Sequence, residues 1–318
     1  MDKPEYIQTL VQAAMMYYNE NLTQQEISGK LGTTRQTVSK LINEARTRGI
    51  VEIKINNPVD SIIELSKDLV KKFNIKNAVT VPSDFNDDSL IRNVIAQKAV
   101  EHIATYLSED CKSVGISWGQ TVYSFIQLYN VIGNNTGLNL FPLLGASNEA
   151  ASYFMINEMV RVLAEKTGGK PNFIYIPVNP GSSEEYGLFS RTNAYRSISQ
   201  LWKSIDIAIV GIGSIQAKIR LSRQEYPGEK ELAVKMKNKN VVGDICTNYF
   251  DIDGNIVKPV DYQRLISITE DDLRNTKNVI ALSGGLEKVD AIIGALRTGL
   301  VSEIVIDEKT AHEVLKRA

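Results

Sequence analysis

Two helix-start signals ten residues apart, close to the amino end, constrain this chain more than any other feature. Residues 22–42 read LTQQEISGKLGTTRQTVSKLI. Thr23 is followed by Glu26, and Thr33 by Gln36. Each pair can form a capping box, in which the hydroxyl takes a first-turn N–H while the longer side chain reaches back to the cap. With Gly32 between the two starts, the spacing predicts one short helix, a tight turn and a second helix. Ile27 and Leu31 recur on the first helix and Val38, Leu41 and Ile42 on the second, which gives one buried stripe to each.

The second helix then has a free polar face. Thr34, Arg35, Gln36, Thr37, Ser39 and Lys40 are the residue types that reach phosphates and base edges in a major groove. With the cap Thr23 they are the expected contacts to double-stranded operator DNA. Residues 34–48 hold four basic side chains against one acid, a local excess of +3. A helix over 3–19, with Ile7, Leu10, Val11, Ala14 and Tyr18 on one face, would pack behind the hairpin. Val51-Glu-Ile-Lys-Ile55 alternates apolar and polar, as a short strand or wing does, and Asn56-Asn57-Pro58 breaks the pattern. The first domain is therefore read as 1–57. A linker segment, 58–76, follows; Ile62, Leu65, Leu69 and Val70 make its helix amphipathic and able to pack against a partner copy.

A chain of 318 residues has room for a further, larger domain, here 77–318. The net charge of −1 excludes a generally basic nucleic-acid coat, so DNA affinity must come from the local excess and from oligomerisation. Cys111 and Cys246 are far apart and lack metal-ligand spacing; reduced thiols are expected, with no metal and no cofactor. No apolar run approaches the roughly 18–20 residues that span a bilayer, and no signal peptide is legible. The expectation is a soluble, cytoplasmic protein without a membrane partner.

From residue 77 onward short β-branched runs alternate with longer helical patterns. Strands are expected at 78–81, 113–117, 138–144, 173–178, 205–210, 279–282 and 304–306, and helices at 90–107, 122–131, 150–166, 193–203, 289–299 and 309–316. This alternation predicts an α/β class with a doubly wound parallel sheet. Asp253-Gly254 marks a hairpin turn within 251–256, so a small antiparallel insertion is expected there. The acidic runs at 84–88 and 269–272 read as a surface loop and a helix N-terminus.

Ligands of open parallel sheets bind beyond the carboxyl ends of strands, where a loop meets a helix N-terminus. Four such exits are rich in glycine or serine. Gly115-Ile-Ser-Trp-Gly-Gln-Thr121 offers Gly119 for close backbone approach and Ser117, Gln120 and Thr121 as donors. Pro142-Leu-Leu-Gly-Ala-Ser-Asn148 brings Gly145 and Ser147, and Gly211-Ile-Gly213 follows a third strand. Ser283-Gly-Gly-Leu-Glu-Lys288 carries a lysine to a helix mouth, where it suits a phosphate. Together they favour a phosphorylated small ligand. His102 and His312 lie in helical patterns, and no nucleophile elbow, phosphate-loop lysine or metal cluster is present in the sequence.

On these residues the chain resembles the sorbitol-operon regulator (SorC) family of bacterial sugar-responsive transcription factors. The carriers are the helix-turn-helix at 23–41, Gly115-Ile-Ser-Trp-Gly119, Pro142-Leu-Leu-Gly145, Val210-Gly-Ile-Gly213, Val242-Gly-Asp-Ile-Cys246, Ala295-Leu-Arg-Thr-Gly299 and Ile306-Asp307. The resemblance implies an effector domain like sugar-phosphate isomerases and deaminases. It also implies a homotetramer built as a dimer of dimers, and release or remodelling on an operator when a phosphorylated sugar binds. It assigns Gly119, Gln120 and Thr121 to the phosphate, and Asp244, Lys288 and Arg220 to the rest of the effector. Leu144 stands where some members carry a basic residue, which disfavours a Schiff-base effector and a second phosphate there. The rival reading, a sugar-phosphate isomerase or deaminase fused to a DNA-binding head, requires a general base; Asp244 and Glu149 are its candidates.

Overall fold

Side-chain caps fix where the first helices begin. In the computed structural model of the chain, which describes residues 4–51, 58–83, 87–107, 110–130, 137–147, 155–217, 236, 239–258 and 265–318, α1 spans Pro4–Tyr18, α2 Gln24–Lys30 and α3 Arg35–Thr47. Thr23 caps α2 in the full reciprocal box with Glu26. The second box, expected at Thr33 and Gln36, is replaced by a simple cap one residue later. Thr34 is the N-cap of α3, accepting the Thr37 N–H at 3.2 Å, because Thr34 has the extended backbone that a cap needs.

Leu10, Ala13 and Ala14 of α1 pack on Leu41 and Ala45 of α3, and Ile27 of α2 packs on Val38 and Ile42. The expected α1 stripe is corrected in part, since Ile7 and Val11 are exposed and the small residues Ala13 and Ala14 let the helices approach instead. Tyr6 donates its hydroxyl to Glu44 at 2.6 Å, and Arg48 pairs with the same carboxylate at 2.5 Å. The expected wing at 51–55 lies almost wholly outside the described residues.

Contacts divide the chain into two units, Met1–Asn57 and Pro58–Ala318. The second begins with α4 (Pro58–Phe73), whose Leu65 and Leu69 are buried, Leu69 in the core of this unit. There follow β1 (Asn77–Val81), α5 (Asp88–Ala104), β2 (Ser113–Ile116), α6 (Gln120–Leu128), β3 (Asn139–Pro142), α7 (Ile156–Thr167) and β4 (Lys170–Pro171). Next come α8 (Ser183–Ser190), α9 (Asn193–Trp202), β5 (Ile207–Val210), β6 (Gly213–Ser214), β7 (Val241–Ile245) and β8 (Asn248–Asp251). The chain ends with α10 (Glu270–Arg274), β9 (Asn278–Leu282), α11 (Val289–Arg297), β10 (Glu303–Asp307) and α12 (Glu308–Arg317).

Among the described residues seven strands form one sheet in the order β1-β10-β9-β5-β2-β3-β4, every pairing parallel. The central strand β5 is buried along its whole length, as a parallel strand covered on both faces must be. The expected strand at 173–178 is corrected: pairing with β3 occurs at Lys170–Pro171. Residues 176 and 178 instead exchange backbone hydrogen bonds with Ala146, and Pro177, which has no N–H, sits in an isolated bridge there. The antiparallel insertion is the sheet β6-β7-β8, with its tight turn at Cys246–Thr247; a further bridge from Phe250 to Ile256 closes the expected 251–256 turn.

The amino ends of the central strands are pinned by Asp206. Its carboxylate accepts the N–H groups of Lys112 and Ser113 at 2.8 and 3.1 Å and pairs with Lys277 at 2.5 Å. This leaves the carboxyl ends, with their open loops, for ligands.

Candidate functional site

The first loop of the candidate effector site is built by a backbone that only glycine adopts readily. Gly119 has φ 136° and ψ 151°, and the space where a side chain would stand is empty. It is the N-cap of α6 and supplies no side-chain acceptor, so the first-turn N–H groups of a nine-residue helix are left for a ligand or solvent. Gln120 is half-buried and Thr121 is buried beside it. Ser117 has a different part from the one expected. Its hydroxyl accepts the Gly211 N–H at 3.0 Å and donates to the Trp118 carbonyl at 3.2 Å, bracing the β2 and β5 exits against each other.

The β5 exit is where the other expected residues meet. Gly213 pairs with Asp244 across β6 and β7. The buried Asp244 carboxylate lies over the Cα of Gly213, and a Cβ there would collide with Oδ1 and stand 3.0 Å from Cγ. One residue earlier, the Ile212 carbonyl accepts the Lys288 ammonium at 3.3 Å. Burial lowers the Lys288 pKa from its ordinary range; Arg92 nearby adds to this, while Glu287, Asp244 and Asp88 oppose it. An acceptor and a cation therefore flank the two-residue step Ile212–Gly213.

The Lys288 loop is fastened from below. Gly285 donates its N–H to Asp307 Oδ2 at 3.0 Å and to the Thr310 hydroxyl at 2.8 Å, and Asp307 also caps α12. Ser283, at the strand exit, is wholly buried, and its Oγ has no hydrogen-bond partner among the described residues. In the fourth loop, Gly145 is buried with its N–H on the Ile266 carbonyl at 2.8 Å, a packing position, while Ser147 is half-buried. Leu144 is fully buried. Arg220 and Glu149 lie outside the described residues.

Sequence reasoning passed over Arg92, which reaches Lys288 electrostatically from α5, and Thr247, which donates its N–H to Asp244 Oδ2 at 3.3 Å. Arg92 carried no signal, because it reads as one more polar residue on a helix. His102, the first of the two histidines, is bound to the buried Glu303 at 2.7 Å, at the opposite end of β10 from Asp307. No metal-binding cluster occurs among the described residues.

In the first unit, Arg35, Gln36, Thr37, Ser39 and Lys40 are exposed on α3, opposite the buried Val38, Leu41 and Ile42. Thr23 and Thr34 are occupied as caps, and Thr37 shares its hydroxyl with Thr34 at 2.9 Å.

The chain thus joins a helix-turn-helix unit to an α/β unit whose polar loops meet at the strand exits. Residues 57–316 match the family described as "Putative sugar-binding domain", and residues 10–64 match the Crp-like helix-turn-helix domain. The chain is 28% identical over 316 residues to the deoxyribonucleoside regulator of Bacillus subtilis (strain 168), covering 99% of both chains. It is 27% identical over 320 residues to the sorbitol operon regulator of Klebsiella pneumoniae, covering 99% of this chain and 100% of that one. The crystal structure of the full-length sorbitol operon regulator SorC from Klebsiella pneumoniae superposes with a TM-score of 0.75 at 26% identity, over 98% of this chain and 99% of that one. The chain belongs to the SorC family of sugar-binding transcriptional regulators. It is a transcriptional regulator, as its relatives are named. No helix among the described residues is long and apolar enough to cross a membrane.

Proposed function

We propose that the effector is a phosphorylated sugar or polyol and that its binding changes the hold of the helix-turn-helix on operator DNA. The observation that carries this reading is the open N-terminus of α6 at Gly119, joined through Ser117 and Gly211 to the step where Lys288 and Asp244 meet. A helix N-terminus and an ammonium suit a phosphate, and a carboxylate accepts hydrogen bonds from sugar hydroxyls. Gly119, Gln120, Thr121 and Lys288 hold the phosphate; Asp244, beside Gly213, takes the polyol end, with Ser147 at the rim. The 1–57 domain reads DNA, the 58–76 segment links, and 77–318 senses the effector in the cytoplasm.

We also infer a homotetramer, a dimer of dimers. One exposed recognition helix with a local +3 gives too little affinity for a genomic site, so symmetric copies on a palindromic operator are required. The outer face of α4 supports this: Ile63 is exposed beside a groove of about 500 Å³ between α4 and the edge strand β1.

The test of the effector class is a thermal-shift screen in matched pairs. Hexose and hexitol 6-phosphates should raise Tm where the unphosphorylated parents do not. Equal shifts with parent and phosphate would remove the phosphate from the account.

A further inference from the structure

We propose that Thr247 is a positioning residue for effector recognition: its hydroxyl latches the hairpin carrying Asp244 to the segment that holds the 143–147 loop. The inference rests on the effector site just proposed and adds a residue which that site does not need for direct contact.

The turn between β7 and β8 consists of Cys246 and Thr247, both left-handed, with φ 47° and 63°. A two-residue turn of this kind favours Asn-Gly, and a β-branched residue at positive φ is a backbone outlier. Thr247 therefore occupies a position that glycine would fill with less strain. What it supplies there that glycine cannot is a hydroxyl. That hydroxyl lies 2.8 Å from the Ser267 hydroxyl, across twenty residues of chain.

Ser267 lies between the two backbone bonds that fix the neighbouring loop. Gly145 donates to the Ile266 carbonyl and Ile268 donates to the Leu143 carbonyl, both at 2.8 Å. On the other side of the turn, the Thr247 N–H donates to Asp244 Oδ2 at 3.3 Å. Asn248 adds a tie from the same hairpin to the Ile268 carbonyl at 3.1 Å. One strained residue thus holds the Asp244 carboxylate through its backbone and the 143–147 loop through its side chain. A ligand held by Asp244 would rest on a hairpin whose placement against the 143–147 loop this latch sets.

The experiment uses the full-length protein with a panel of hexose 6-phosphates, hexitol 6-phosphates and pentose 5-phosphates, and reads three quantities: Tm without ligand, the Kd of the tightest panel member, and the Kd for a natural operator fragment. Thr247→Gly should keep or raise Tm because strain is relieved, leave operator affinity unchanged, and weaken the sugar phosphate about fivefold or more, the scale of one lost hydrogen bond. Thr247→Ser, which keeps the hydroxyl, should restore affinity. Ser267→Ala should weaken the ligand by a similar factor, and the Thr247→Gly/Ser267→Ala double variant by no more than either alone. Unaltered ligand affinity in Thr247→Gly overturns the latch, as does a loss of Tm that accompanies the loss of affinity, since that describes a merely structural residue. If Asp244→Asn abolishes binding while Thr247→Gly does not, the latch alone fails. If no panel member binds the wild-type chain, the proposed effector class fails and the latch with it.

Discussion

The Asp244 carboxylate fills the space that a side chain on Gly213 would need, so the acceptor at the candidate site is seated on bare backbone. The neighbouring Ile212 carbonyl receives the Lys288 ammonium. A carboxylate and a lysine amine are thereby held around one two-residue step of backbone. A phosphate and a hydroxyl of one small molecule can address both.

Gly213→Ala forces that carboxylate to move, because the new Cβ would collide with Oδ1. Effector affinity should fall at least tenfold, on the order of 1.4 kcal/mol, while operator binding persists. Calorimetric titration of the variant with a hexitol 6-phosphate checks this; normal affinity would separate Asp244 from the ligand.

Lys288 has a pKa lowered by burial, so it loses its proton at a pH below that of an exposed lysine. Phosphate binding requires the charged form, and effector affinity should fall as pH rises through that lowered pKa. The decline should be absent in Lys288→Met, whose affinity is low throughout. Kd measured at successive pH values below the ordinary lysine range reads the difference.

Acid stability has a separate origin at the far end of the sheet. Burial alone would raise the Asp206 carboxyl, but the hydrogen bonds from Lys277, Lys112 and Ser113 outweigh it and hold its pKa below the usual value. Glu303 is likewise held down by His102 and Tyr106 against its burial. A depressed carboxylate contributes stability above its unfolded pKa, about 4, and loses it as pH falls through the folded value. Asp206→Asn should therefore flatten the decline of Tm below about pH 4 and lower Tm at neutral pH. An unchanged acid slope would assign that decline to other groups.

In the head, Leu41→Ala removes a buried side chain shared by α1 and α3 and should destabilise that unit by about 2–5 kcal/mol. Arg35→Ala, on the exposed first turn, should spare stability and cost about 1–3 kcal/mol on a cognate operator, with less effect on random DNA. Equal weakening on both DNAs would make Arg35 a phosphate contact. Circular dichroism melting and fluorescence anisotropy distinguish the two variants.

Much of the fold is legible because its signals are local. The Thr23 cap, with Glu26 three residues on, marks a helix start in the chain itself, and the β-branched runs around 207–210 and 279–282 mark strands buried on both faces. The one-residue error at Thr34 arose because two adjacent threonines offer equivalent side chains, and only backbone geometry selects between them. The misplaced strand at 173–178 is β-rich in composition but interrupted at Pro177, and its partner is a loop rather than a strand. The site loops were readable as glycine-rich strand exits. What could not be read was which residues brace and which face outward: Ser117 and Thr121 look alike in sequence, yet Ser117 is committed to Gly211 and Trp118. The Thr247–Ser267 contact spans twenty positions with no periodicity to announce it.

The central claim is that a sugar phosphate, held by the Gly119 and Lys288 loops, alters operator binding. Titrating a hexitol 6-phosphate into the complex of full-length protein and its operator, with the parent hexitol and the Lys288→Met variant in parallel, tests it most directly. The account predicts a saturable change in anisotropy for wild type with the phosphate alone, and none for Lys288→Met despite normal operator affinity. A response to the unphosphorylated hexitol, or an undiminished response in Lys288→Met, would contradict it.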